Sequence, residues 1–155
     1  CYGRKETLSY LKKIYFYAFD ENVQAGGGIP RIELIEVEDP FHLLGIKIIP
    51  LKVFHGKLVI TGYRFFDVAY ITDSSKIPDD SKKALYGLKL LFINALREEP
   101  HPTHFNISEA LSVIEELKPE RAVLTHLGHQ INFEKTPKNF PENVSFAYDG
   151  MEFTQ

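Results

Sequence analysis

Residues 89–126 read KLLFINALREEPHPTHFNISEALSVIEELKPERAVLTH. Lys89 to Leu96 is too apolar for a surface strand and belongs in the middle of a sheet, where both faces are covered. Asn106-Ile-Ser-Glu109 places an N-cap residue three positions before a glutamate, the signature of a helix start, and the helix is expected to run to about Lys118. Ala122 to Thr125 is again a short buried-type strand. Strand, capped helix and strand in this order form a crossover unit of a layered α/β fold.

Upstream, the chain is rich in strands. Phe41 to Leu44, Ile46 to Phe54, Leu58 to Phe66 and Val68 to Thr72 are branched and aromatic runs separated by glycine or polar turns. Arg31 to Val37 alternates polar and apolar residues, as a half-exposed strand does. Glu6 to Phe19 carries Leu8, Leu11, Ile14, Tyr15 and Ala18 at helical spacing, which predicts a helix with one buried face. Asp20 to Pro30, with Gly26 to Gly28 in succession, reads as a loop without a phosphate-cradling pattern. Asp79 to Leu88 predicts a short helix, and Asp149-Gly150 between two short apolar runs predicts a hairpin. Hairpins mixed with helix–strand crossovers predict α/β layers around a mixed sheet.

The 155 residues suffice for one domain with a true core. A formal net charge of −3 argues against a surface built to coat nucleic acid. Cys1 is the single cysteine, so no intrachain disulfide can form. No apolar run approaches the ~18–20 residues that span a bilayer, and no secretory leader pattern opens the chain. A soluble, cytoplasmic protein that uses no membrane is the expectation. The chain begins at Cys1 without a methionine and enters helical sequence almost at once, which reads as a piece of a longer protein.

Three apolar strands end alike: LKVF stops at His55, VAYIT at Asp73 and AVLT at His126. Ligands gather where strand ends meet loops, because a rigid sheet aims side chains there while the loops leave space. Each residue alone has a bland reading: a strand-end histidine usually bonds locally, and Asp73 before Ser74-Ser75 is a common turn-former. The recurrence of two imidazoles and a carboxylate is what fits a zinc- or manganese-type site. A second group, Arg97, Glu98, Glu99, His101 and His104, follows the KLLFINAL strand. His104 precedes the Asn106 cap, at a helix N-terminus that favours anions; the alternative is that His101 and His104 decorate a surface loop. His129 reads as structural support and His42 as part of a turn.

The segments GKLVITGYRF, DVAYITD, KLLFINALREEPHPTHFNISEAL, RAVLTHLGH and FAYDGMEF, in this order, resemble the metallo-β-lactamase superfamily. The branch they resemble contains the cyclic phosphodiesterase of the carbon–phosphorus lyase pathway. The resemblance runs from Tyr2-Gly-Arg-Lys-Glu-Thr to Asp149-Gly150. It implies an αββα sandwich, of which residues 1–155 form the C-terminal portion of a single domain, with a mixed sheet and flanking helices. It implies two divalent metal ions (zinc or manganese, with iron an alternative): His55 a ligand of the first, Asp73 the bridge between them and His126 a ligand of the second. His104 is implied to contact the scissile phosphate or protonate the leaving oxygen, so that His104 and Asp73 are the catalytic pair around a metal-bridging hydroxide. The implied substrate is a small-molecule phosphate ester, and nucleic acid is disfavoured.

The superfamily's His-x-His-x-Asp-His run, which lies upstream in relatives, is absent from these 155 residues. Three ligands shared by two ions would hold neither tightly, and the missing sheet would leave an apolar face open to pairing, for instance in a homodimer. The expectation is that the N-terminal part exists in the natural protein. Other readings keep the fold but cleave a thioester or lactone, or serve cofactor biosynthesis without hydrolysis. A different class is a non-catalytic half-domain that binds a partner chain.

Overall fold

The computed structural model describes residues 1–20, 27–132, 137 and 140–154. Its seven-stranded sheet takes the strands in chain order: β3 (Phe41–Leu43), β4 (Ile46–His55), β5 (Leu58–Phe65), β6 (Val68–Ile71), β7 (Leu90–Asn94), β8 (Arg121–Thr125) and β9 (Val144–Phe146). Pairing is antiparallel from β3 to β6 and parallel from β6 to β9, the mixed sheet that hairpins and crossovers predict. Antiparallel β5 sits between β4 and β6, so β4 runs the same way as β6, β7 and β8. Their C-terminal ends therefore emerge at one edge. β1 (Tyr2–Gly3) and β2 (Ile35–Glu36) form a separate parallel pair beside α1 (Lys5–Ile14). Tyr2 ties this unit to the sheet by stacking on Phe41, ring centroids 5.0 Å apart.

The alternation of side chains across the strands builds two apolar clusters. On one face Ile71, Leu91, Ile93 and Leu124 are fully buried against α2 (Asp79–Lys83) with the turns after it, and against α3 (Ile107–Leu117) through Ile107, Ala110, Ile114 and Leu117. On the other face Val68, Leu90 and Val123 are covered by Phe65, Phe92 and the tail residues Met151 and Phe153. β7 lies inside the sheet between β6 and β8, as its apolar composition requires.

α3 begins as the sequence predicts. Asn106 Oδ1 accepts the Glu109 N–H at 2.8 Å and Glu109 Oε2 accepts the Asn106 N–H at 2.9 Å, the reciprocal capping box. Lys118 ends the helix in the left-handed region at φ 49°.

Four elements differ from their expectation. Of the strand expected over Arg31 to Val37, only Ile35–Glu36 forms. The first helix stops at Ile14, and Phe16–Ala18 continues as a 3₁₀ turn. Of its apolar residues only Leu8 is buried, while Ile14 is 67% exposed, so no packed face extends it. α2 ends at Lys83 because the next amides tighten onto i−3 carbonyls: Ala84 N–H donates to Ser81 O at 3.2 Å and Leu85 N–H to Lys82 O at 2.8 Å. The hairpin is not formed. Asp149-Gly150 does make a turn, with Met151 N–H donating to Tyr148 O at 3.1 Å, but β9 pairs with β8 and residues 151–154 are not a strand. Instead Met151 and Phe153 lie across the sheet face, with the Arg121 guanidinium 4.7 Å above the Phe153 ring. Of the glycine run, Gly26 lies outside the described residues. Among the described residues, no helix is long and apolar enough to cross a membrane.

Candidate metal centre

The shared C-terminal edge of β4, β6, β7 and β8 is where His55, Asp73, the 95–106 loop and His126 meet. Asp73 and His126 leave their strands in the left-handed region, at φ 57° and 54°. Aspartate and histidine tolerate this better than most residues, yet such backbone costs of order 1 kcal/mol or more and gathers at functional sites. Here it turns both side chains to one point. His104 Nε2 and His126 Nε2 lie 3.2 Å and 3.1 Å from the same oxygen, Asp73 Oδ1. One ligand atom from each of Asp73, His104 and His126 lies within 4.8 Å of the others.

His104 is the hub. Its ring stacks on His126 at 5.0 Å with planes 10° apart, meets His55 edge-on at 4.8 Å and His101 at 4.9 Å. The side chain is only 12% exposed, against 39% for His126 and 47% for Asp73. Burial pushes the His104 pKa below its ordinary value. The neighbouring imidazoles act in the same direction, while the bond to Asp73 opposes them.

Second-layer contacts fix these groups. Asn94, fully buried at the end of β7, accepts the Ser74 N–H and the Ser74 hydroxyl on Oδ1, both at 2.8 Å, and donates from Nδ2 to Ser74 O at 2.9 Å. That clamp holds the residue after Asp73 on all its polar groups. Phe105 N–H also donates to Ser74 O at 2.7 Å, joining the His104 loop to the Asp73 loop. His55 is registered by Ser75: the Ser75 N–H donates to Phe54 O at 2.7 Å, and Ser75 Oγ accepts the Gly56 N–H at 2.9 Å. Behind His126, Gly128 N–H donates to Leu96 O at 2.7 Å, and a Cβ on Gly128 would lie 2.8 Å from that oxygen.

Of the residues singled out from sequence, Asp73, His104 and His126 converge directly, and His55 joins through its ring contact with His104. His101 is part of the cluster and not a loop ornament. His42 and His129 are exposed and do not join it. The reading of the sequence passed over Asn94. The available signal was a single amide side chain at the end of an otherwise apolar strand, which only a buried hydrogen-bond partner can justify.

The donor set suits a divalent cation of the zinc, manganese or iron type. It offers imidazole nitrogens and a carboxylate, converging at the mouth of a sheet, with a strained backbone aiming them.

The chain is similar to several known proteins. The chain is 31% identical over 155 residues to an octanoyltransferase of Porphyromonas gingivalis, across 97% of this chain and 31% of that protein. It superposes on a diphosphatase of the PhnP family with 37% identity and a TM-score of 0.86, across 97% of this chain and 55% of that one. The short form of human tRNase Z shares the fold at 16% identity and a TM-score of 0.65, over 97% of this chain and 65% of the other. The chain thus spans about half the diphosphatase and under a third of the octanoyltransferase. The family described as the beta-lactamase superfamily domain matches residues 1–127. With its strand-end donors and mixed sheet, the chain belongs to that superfamily and has the metallo-β-lactamase fold.

Proposed function

We propose that this chain forms part of a metal-dependent hydrolase that cleaves phosphate diesters or related phosphoanhydrides. The observation that carries the reading is the convergence of Asp73, His126 and His104 at one sheet edge, in a chain 37% identical to a diphosphatase. Asp73 and His126 would hold the cations, with His55 contributing from the end of β4. Further donors would come from outside these 155 residues. Divalent cations bound there supply Lewis acidity toward phosphoryl oxygens and ease deprotonation of water near neutral pH.

The chain's own residues do the rest. Asp73 presents Oδ1 toward the site and would be the carboxylate that holds the cations. His104, the least exposed of the three, points Nε2 at the same place. It contacts a phosphoryl oxygen or moves a proton to the leaving oxygen, a role worth on the order of 10²–10⁴-fold in rate. Burial disfavours the protonated form of His104. A phosphate anion beside it favours the protonated form, so substrate itself primes the acid.

Elemental analysis of the natural full-length protein, beside an Asp73→Ala/His126→Ala variant, tests the reading. Bound metal that the variant loses, with turnover of diester phosphates and none of thioesters or lactones, supports it. A metal-free protein, or turnover of thioesters alone, overturns it.

A further inference from the structure

Leu8, the buried residue of α1, faces the β1–β2 pair: a Cβ placed on Gly3 of β1 would lie 3.4 Å from its side chain. At ~100° per residue, Glu6 and Tyr10, two positions to either side of Leu8, fall on the opposite face of the helix, and Lys13 falls beside them. Strands added to the β1–β2 pair in its own plane would meet the Leu8 side and leave this outer side open. The outer side is apolar nonetheless. Tyr10 is 61% exposed and Ile14, at the edge of the same face, 67%. The 3₁₀ turn carries the surface onward: the Tyr17 ring, 41% exposed, meets Phe16 edge-on at 6.2 Å, and Phe16 is 61% exposed. The Lys13 ammonium stands 5.6 Å from the centre of the Tyr10 ring. A single exposed ring is ordinary, but four large apolar side chains in succession along one outer face mark an interaction surface.

We propose that this surface pairs with the same surface of a second copy of the chain, the two α1 helices lying antiparallel about a two-fold axis near Tyr10. The charges on the helix select this occupant. Glu6 stands exposed in the first turn, and Lys12 and Lys13 stand exposed in the last. Glu6 and Lys13 are roughly 10 Å apart along the axis, with Tyr10 between them. An antiparallel two-fold therefore brings Glu6 of one copy level with Lys13 of the other, twice over, and sets the Tyr10 rings together at the axis. It also places the positive N-terminal end of each helix beside the negative C-terminal end of the other. An isologous contact must be self-complementary, and this stripe is. A nucleic acid or an anionic membrane would match Lys12 and Lys13 but meet Glu6 with like charge. Large side chains about half exposed contribute ~100 Å² each, so the two surfaces together bury on the order of 1,000 Å² once the lysine and glutamate stems are included. That is the lower end of specific interfaces, which fits a dimer that dissociates in the micromolar range.

The test is sedimentation of the full-length natural protein from about 1 to about 100 µM, where a monomer–dimer equilibrium should appear. Tyr10→Glu should weaken the dimer at least about 10-fold, because the change acts twice at a two-fold axis. Glu6→Lys and Lys13→Glu should each weaken it about 3–10-fold, and the double exchange should bring the wild-type constant back. Arg4 keeps a carboxylate throughout, since Glu38 holds it at 2.7 Å. Far-ultraviolet circular dichroism checks that each variant is folded. A protein monomeric at the highest concentration overturns the proposal, and so does a dimer that Tyr10→Glu leaves intact. Failure of the double exchange to restore what the single exchanges weaken overturns the antiparallel pairing. A monomer that instead retards single-stranded RNA or sediments with phosphatidylserine vesicles, and stops doing so in Tyr10→Glu, assigns the surface to that occupant and sinks the second copy.

Discussion

Asn94→Ala is the substitution that most directly separates a built site from an accidental cluster. The side chain is fully buried and makes three hydrogen bonds, all to Ser74. Losing them removes about 1 kcal/mol each, and the buried Ser74 N–H left without a partner adds about 1–3 kcal/mol. A destabilisation of about 4–6 kcal/mol is expected, a large share of the ~5–15 kcal/mol that holds a domain. Asp73 should lose its position at the same time, because Ser74 is its direct neighbour and the clamp fixes the left-handed turn between them. Urea titration measures the first effect and zinc competition against a chelator the second, with a 10–100-fold weaker affinity expected. Ser74→Ala is the gentler control: it removes only the hydroxyl bond and should cost about 1 kcal/mol. An Asn94→Ala protein destabilised by less than about 1 kcal/mol, with zinc affinity unchanged, would refute the reasoning.

Other outcomes follow from the same geometry. At Asp73, φ 57° strains any side chain, so Asp73→Gly should be about 1 kcal/mol more stable than Asp73→Ala in urea while both lose metal. Gly128→Ala sets a methyl 2.8 Å from the Leu96 carbonyl; thermal unfolding should show a loss of about 1–3 kcal/mol, and metal binding through His126 should weaken. Removing the cap with Asn106→Ala should cost about 1 kcal/mol in urea titration and displace the adjoining His104 loop. The lowered His104 pKa means the metal-free folded state takes up that proton less readily than the unfolded chain. The corresponding stability is therefore present above the ordinary value near 6.5 and is lost as pH falls from there through the folded value; urea midpoints between pH 7.5 and 5 should drop less in His104→Gln than in wild type.

The parts of the fold legible in the sequence are those where local and tertiary preferences agree. The Asn106–Glu109 capping box can be read from four residues because the bonds are made within them. KLLFINAL announces a central strand because burial on both faces leaves no place for polar alternation. Asp149-Gly150 misleads for the opposite reason. Its turn chemistry is real, but the packing of Phe153 beneath Arg121 and beside Phe92 outweighs strand pairing for the residues that follow. Likewise the apolar stripe of α1 predicts a burial that the described partners supply only to Leu8.

At the site, strand ends could be recognised from sequence, and so could the residue types. What could not be read was distance across strands. Asp73 and His126 lie just past the ends of β6 and β8, with β7 between them, and no spacing rule says that both side chains turn toward β7's exit. The structure answers that with backbone conformation: two left-handed residues bring the side chains over the intervening strand, and Asn94 at the end of that strand holds the turn that does so. A single amide in an apolar strand and two strained residues at strand ends are thus one feature seen three times. Each is unfavourable alone, and their joint presence at one point is what a ligand site built into the sheet edge would require.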